Sequence, residues 1–265
     1  MDFVTGEVLG IDKPLGWTSF DAVKRIRGAV QRRLGVRKFK VGHAGTLDPL
    51  ATGVLIICTG RATRRIDELQ AGRKEYVAVM RLGATTPSYD LEKEIDATYP
   101  YEHVTREMIL ATLPRFTGHI MQVPPVFSAV KVDGRRAYLS ARKGQEVELA
   151  AKPLVIDEFE LLDFDGRDMR LRIVCSKGTY IRALARDLGQ ALGSGAHLIE
   201  LRRTAVGPIT VDRCLSVDQA VEMIARTPLE LPEEWLAEHP LPAPKEAQHP
   251  APAGAPLKSQ DITTL

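Results

Sequence analysis

The sequence is poor in cysteine and arranges none of it for bridging or binding. Cys58, Cys175 and Cys214 are its three cysteines, and they are far apart. With no CxxC and no Cys/His ligand spacing, they support neither a disulfide framework nor a zinc site and read as small buried hydrophobes. No metal and no cofactor are expected. There is no apolar run long enough to span a bilayer. Met1-Asp2-Phe3-Val4-Thr5 lacks the basic-then-apolar layout of a signal peptide. A cytoplasmic protein that does not engage membranes is therefore expected. No GxxxxGK[ST] loop is present, so nucleotide hydrolysis lacks its phosphate cradle. Internal repeats are absent as well.

Acids are missing from one long stretch. Between Asp21 and Asp48 there is none, whereas Lys24, Arg25, Arg27, Arg32, Arg33, Arg37, Lys38 and Lys40 all fall there. The overall charge of +2 conceals this block. A long acid-free basic segment is an electrostatic footprint for a polyanion, set against the plainer reading of a solvated helix face and a basic loop.

The 265 residues, 44% hydrophobic and 26% charged, have the composition of an ordinary folded chain. Glu7–Ile11 reads as a strand. Thr18 reads as an N-cap with Asp21 at the reciprocal position, opening a helix whose core stripe is Phe20, Val23, Ile26, Val30 and Leu34. Gly42–Gly53 reads as one loop and Val54–Cys58 as a buried strand. Lys74–Leu82 alternates, with Tyr76, Ala78, Met80 and Leu82 on one face. Thr105 starts a short helix that stops near Pro114, and an irregular basic stretch follows from Pro124 to Leu149. Leu154–Phe164 and Met169–Ser176 read as a hairpin turned at Asp165-Gly166. Tyr180–Leu192 is a helix ended by Gly193, and Ser216 to Gln219 is a second capping box opening a helix to Arg226. Strands interspersed with helices, without regular alternation, predict an α+β fold on a mixed sheet. The division expected is a catalytic domain over 1–230 and a Pro/Ala-rich tail over 231–265, largely disordered from Pro240 on.

One segment carries chemistry. Gly42-His43-Ala44-Gly45-Thr46-Leu47-Asp48-Pro49-Leu50-Ala51-Thr52-Gly53 follows the basic block and runs straight into a buried strand. Asp before Pro alone is a helix N-cap followed by a first-turn proline. Three glycines and a histidine around it, at a strand edge, make it a place for a reactive group. The segment resembles the catalytic signature of the tRNA pseudouridine-55 synthases of the TruB family. So do Lys13-Pro-Leu-Gly16 with Thr18-Ser19, Lys74-Glu-Tyr76, Pro124 to Lys131, Arg136-Ala-Tyr138, Cys175 to Arg182, Asp187-Leu-Gly189 and Leu201-Arg-Arg-Thr204. The motifs occur in order over about residues 6–210.

The resemblance implies a pseudouridine-synthase fold: a mixed, mostly antiparallel sheet flanked by helices, with a basic RNA-binding cleft. It implies a uridine-to-pseudouridine isomerase acting at position 55 in the T-loop of tRNA. Three residues are expected to be catalytic: Asp48 matches the nucleophile, Arg182 the arginine paired with it, and Tyr76 the tyrosine that stacks on the target base and is implicated in proton handling. His43, Asp90, Tyr180, Leu201 and Lys13 resemble substrate-binding positions. Thr86 to Lys93 follows the family pattern only loosely. Lys24, Arg25, Arg27, Lys131 and Arg142 are expected on the RNA backbone. The partner implied is the T-arm stem-loop of tRNA, met by a monomer with no obligatory protein partner. The alternative is a non-catalytic RNA-binding or tRNA-folding module using the same cleft.

Overall fold

The computed structural model describes residues 1–127 and 149–239, together with the backbone of the short strands Lys131–Val132 and Arg135–Arg136. Ten strands form one mixed sheet. They are β1 (Val8–Lys13), β2 (Val41–Ala44), β3 (Ala51–Thr59), β4 (Lys74–Leu82), β5 (Gly118–Gln122), β6 (Lys152–Phe164), β7 (Asp168–Cys175), β8 (Ala196–Val206), β9 (Ile209–Thr210) and β10 (Leu215–Ser216). The order across it is β10-β1-β3-β8-β4-β7-β6-β5, with β2 beside β3 and β9 beside β8. Most neighbours are antiparallel; β3 with β8 and β1 with β10 are parallel.

Among the described residues the α-helices are α1 (Ser19–Leu34), α2 (Ile66–Ala71), α3 (Arg106–Thr112), α4 (Ile181–Ala191), α5 (Val217–Arg226) and α6 (Glu233–Glu238). Both expected capping boxes form: Thr18 with Asp21 and Ser216 with Gln219. Each satisfies orphan N–H groups that would otherwise face the helix start unpaired. The Asp165 carboxylate accepts from the N–H groups of Arg167 and Asp168, and Gly166 takes φ +101°, so the predicted hairpin turn is made.

The apolar side chains gather into two main clusters. One lies between α4 and strands β4, β6, β7 and β8, around Met80, Leu171, Leu184 and Leu188. The other packs α1 and α5 on β1 and β3, around Ile11, Ile26, Leu55 and Ile224. Residues 228–235 stay with this second body: Trp235 packs against it and the Met1 ammonium donates to Pro228 O. The tail from 240 onward lies outside the described residues.

Three expectations need correction. Gly42–Gly53 is not one loop. Val41–Ala44 pairs with β3 and satisfies its outer backbone groups, leaving only 45–50 as a loop. Phe20 is not in the core stripe of α1: it is 51% exposed, because the helix buries its face from Ala22 and Val23 onward. Cys58 and Cys175 are buried, but Cys214 is only half-buried.

Candidate active site

The loop at 45–50 is held from below by three side chains. Ser19 Oγ donates to Leu47 O at 3.0 Å and accepts from Leu47 N–H at 2.8 Å. The Lys13 ammonium donates to Trp17 O, Pro14 O and Pro49 O. Arg203, 1% exposed, donates from Nε to Val54 O at 2.7 Å, from Nη2 to Gly45 O at 3.2 Å and from Nη1 to Thr46 O at 3.4 Å. Leu47 is buried, while the Asp48 side chain is 39% exposed. Pro49-Leu50 is a turn, closed by Ala51 N–H donating to Asp48 O, and leads into β3. No helix follows, so Asp48 is not an N-cap.

The glycine near the start of β3 has a structural reason. Gly53 takes φ +101°, and a Cβ there would lie 2.1 Å from the carbonyl oxygen of Arg203, its register partner on β8. Only glycine permits both the conformation and the approach.

Facing the loop is the first turn of α4. The Arg182 side chain is 7% exposed, and its Nε lies 2.9 Å from Asp48 Oδ2 and 3.7 Å from Asp90 Oδ2. Its Nη1 donates to Ser88 O at 3.2 Å and its Nη2 to Phe127 O at 3.1 Å. A cation in the first turn opposes the helix dipole, and this one is buried only because two carboxylates and two carbonyls surround it. Asp90 arrives on a strained segment. Tyr89 takes φ +58°, its N–H donates to Thr86 O, and its carbonyl accepts from Leu198 N–H. Arg186 lies over the Tyr89 ring at 5.3 Å.

Asp48, Leu50, Ala51, Asp90, Leu91, Arg182 and Leu198–Leu201 line one cleft. It thus unites four of the sequence-predicted site residues: Asp48, Asp90, Arg182 and Leu201. Tyr76 is buried on β4 opposite Arg203. Burial pushes its phenol above the usual tyrosine range, and the nearby Asp48 carboxylate adds to this while Arg203 opposes it. The phenol therefore stays protonated at neutral pH. Tyr180 is the N-cap of α4, and its backbone is clamped from both sides by the buried Gln122: N–H to Oε1 at 2.9 Å and Nε2 to carbonyl at 3.2 Å.

His43 sits on β2 against Ile57. Burial lowers its pKa, so the ring is neutral near pH 7, and its Nδ1 is buried without a hydrogen-bond partner among the described residues. Lys13 is fully buried beneath the loop. Burial pulls its pKa down to about 8, partly offset by Asp48. Its ammonium donates to three carbonyls, of which Pro49 O belongs to the loop, so its position fits bracing the loop. Of the expected backbone contacts, Lys24 and Arg25 are exposed on α1, and Arg25 also reaches Asp218 at 3.6 Å. The Lys131 side chain and Arg142 lie outside the described residues.

A wider groove of about 800 Å³ runs between Leu110–Gly118 and Phe159–Leu162, but among the described residues Glu160 is its only ionisable lining residue. The Asp48 cleft, in contrast, brings Asp48, Asp90 and Arg182 together. Sequence reasoning assigned no role to Arg203, Gln122 or Ser88. Arg203 stood in a quoted motif, but only the fold reveals that its side chain turns inward beneath the loop.

Comparisons with known proteins give the chain's family. A family model described as TruB family pseudouridylate synthase, N-terminal domain, matches residues 31–181. A second, described as tRNA pseudouridylate synthase B C-terminal domain, matches residues 182–244. The chain is 61% identical to the tRNA pseudouridine synthase B of Parabacteroides distasonis, over 88% of this chain and 100% of that protein. It is 49% identical to the protein of that name from Mycobacterium bovis, over 81% of this chain and 72% of the other. Among solved structures, it resembles a chain in a crystal structure of a Cbf5-Nop10-Gar1 complex. There the TM-score is 0.64 and the identity 33%, over 84% of this chain and 55% of that one.

Proposed function

The chain belongs to the TruB family of pseudouridylate synthases and isomerises uridine to pseudouridine in tRNA; we propose that it does so at position 55 of the T-loop, with Asp48 as the nucleophile. The observation that carries the assignment is the Asp48 carboxylate, held 2.9 Å from the buried Arg182 guanidinium at the mouth of a cleft. A rigid loop with its aspartate side chain turned to solvent and a fixed cation beside it is a preorganised carboxylate.

The reaction breaks the C1′–N1 bond of uridine, turns the ring and joins C1′ to C5. A carboxylate divides it into easier steps by taking C1′ from the departing uracil. Arg182 orients Asp48 and supports its charge. When C1′ passes to C5, the carboxylate is released and stands ready to take the C5 proton, while N1 gains one. Tyr76, protonated and buried, gives the uracil an aromatic wall rather than a base. Asp90 and Leu201 line the space in which the ring turns. A stacked uridine exposes its anomeric carbon and C5 poorly, so the base is extruded first, at a cost of a few kcal/mol. We propose that His43 fills the gap left behind. The enzyme acts in the cytoplasm as a monomer, on the T-arm and with no cofactor.

Tritium release from tRNA transcripts carrying 5-tritiated uridine tests the position. Release from the wild-type transcript, and none when residue 55 is cytidine, is expected. Undiminished release from the cytidine-55 transcript overturns the placement.

A further inference from the structure

Phe20 is placed where a core side chain gains little. It is 51% exposed in the first turn of α1, while Trp17, three residues earlier, packs against the core under that helix. Its companions are cations: Lys24 Nζ lies 5.1 Å and Arg27 Cζ 5.5 Å from the ring centroid. The acid in this turn, Asp21, is engaged with Thr18 in the capping box. A second exposed apolar side chain, Leu15 at 64%, stands at the tip of the preceding turn.

Both belong to segments bonded directly to the neighbours of Asp48. Ser19, beside Phe20, exchanges hydrogen bonds with Leu47, and Gly16, beside Leu15, donates from its N–H to Pro49 O at 2.9 Å. An exposed aromatic ringed by cations, on the rim of a loop that receives an extruded nucleotide, has the composition of a single-strand nucleic-acid platform.

We propose that Phe20 is a stacking subsite for a T-loop nucleotide next to the extruded uridine, and that Lys24 and Arg27 hold the phosphates flanking that nucleotide. The proposal rests on the reading of the chain as an enzyme of the tRNA T-arm. Stacking on Phe20 replaces contacts that the nucleotide's base loses when its neighbour leaves the helix. It is tolerant of base identity, since every base has a π-face.

The test uses the full chain and a T-arm stem-loop transcript. Binding is measured for Phe20→Ala, Phe20→Leu, Phe20→Trp and the double variant Lys24→Ala/Arg27→Ala, each in an Asp48→Asn background. KM, kcat and thermal stability are measured with Asp48 intact. Phe20→Ala is expected to weaken binding about tenfold, raise KM with kcat retained, and leave both Tm and the salt dependence of binding as in the parent. Trp is expected to restore affinity and Leu not to. The double variant is expected to flatten the salt slope by about one to two units. Unchanged binding by Phe20→Ala overturns the proposal. So does rescue by Leu equal to that by Trp, and so does a loss that tracks a fall in Tm. A wild-type enzyme that releases no tritium from the transcript contradicts the functional reading beneath it instead.

Discussion

Replacing Gly53 by Ala perturbs the active site from beneath, without touching any group in the cleft. The added methyl would sit 2.1 Å from the Arg203 carbonyl oxygen and 2.9 Å from that residue's carbonyl carbon and nitrogen. An ordinary carbon–oxygen contact is about 3.3 Å, so β3 and β8 must part by about 1.2 Å at this point. Overpacking of this kind costs about 1–3 kcal/mol, and an L side chain in left-handed backbone adds about 1–2 kcal/mol. The expected loss is about 2–5 kcal/mol, or about 4–20 °C in Tm for a chain of this size. The displaced residue is also the one whose guanidinium holds Gly45, Thr46 and Val54. A shift of about 1 Å in a nucleophile's support costs about 10²-fold in rate. Gly166→Ala is the control: its φ is also +101°, but a Cβ there meets nothing within 4 Å. It should lose stability through backbone strain alone and keep kcat. The assays are thermal unfolding and single-turnover tritium release at a temperature where both variants are folded. If Gly53→Ala is destabilised yet turns over within threefold of wild type, the loop is not positioned through the β3–β8 register and the reasoning fails.

Two further outcomes follow from the site. Arg182→Lys keeps the charge but not the planar fork that reaches Asp48, Ser88 O and Phe127 O together; kcat should fall at least about 10²-fold with KM little changed, and steady-state kinetics that show a KM effect alone would refute an orienting role. Lys13, with its folded pKa lowered to about 8, should impose an alkaline limb near that pH on single-turnover rates as it loses a proton used to hold Pro14 O, Trp17 O and Pro49 O, and Lys13→Arg should move the limb upward. The stability sign differs: below about pH 8 Lys13 is charged in both states, whereas between there and its unfolded pKa the unfolded chain binds more protons, so this group raises stability as pH rises through that window. An unmoved limb in Lys13→Arg assigns it to another group.

Local signals were legible in the chain, and long-range ones were not. Both capping boxes and the Asp165-Gly166 hairpin are written in residues at most three apart, and each formed as expected. The alternation of β4 also placed Tyr76 on the buried face, because strand period alone fixes that. Phe20 failed for the complementary reason. It fits the helical period, yet burial depends on where the sheet beneath α1 ends. The strand at Val41–Ala44 was missed because a four-residue segment with a glycine and a histidine has little intrinsic strand preference and forms only because β3 offers an open edge. Asp48 stood out through its loop. That Arg203 turns inward to hold the loop depends on β3 and β8 lying parallel, that Lys13 does so depends on β1 pairing with β3, and that Arg182 meets both Asp48 and Asp90 depends on α4 facing the loop; no local pattern announces these pairings of distant segments.

Whether Asp48 performs the isomerisation or only shapes the cleft is decided by removing its charge alone. Asp48→Asn keeps the side chain's size and its hydrogen bonding to Arg182 while removing the charge. Measured side by side with wild type, it should bind a tRNA transcript with the same affinity, unfold at nearly the same temperature and release no tritium from 5-labelled uridine in a single turnover. Release within tenfold of wild type by this variant would contradict the account.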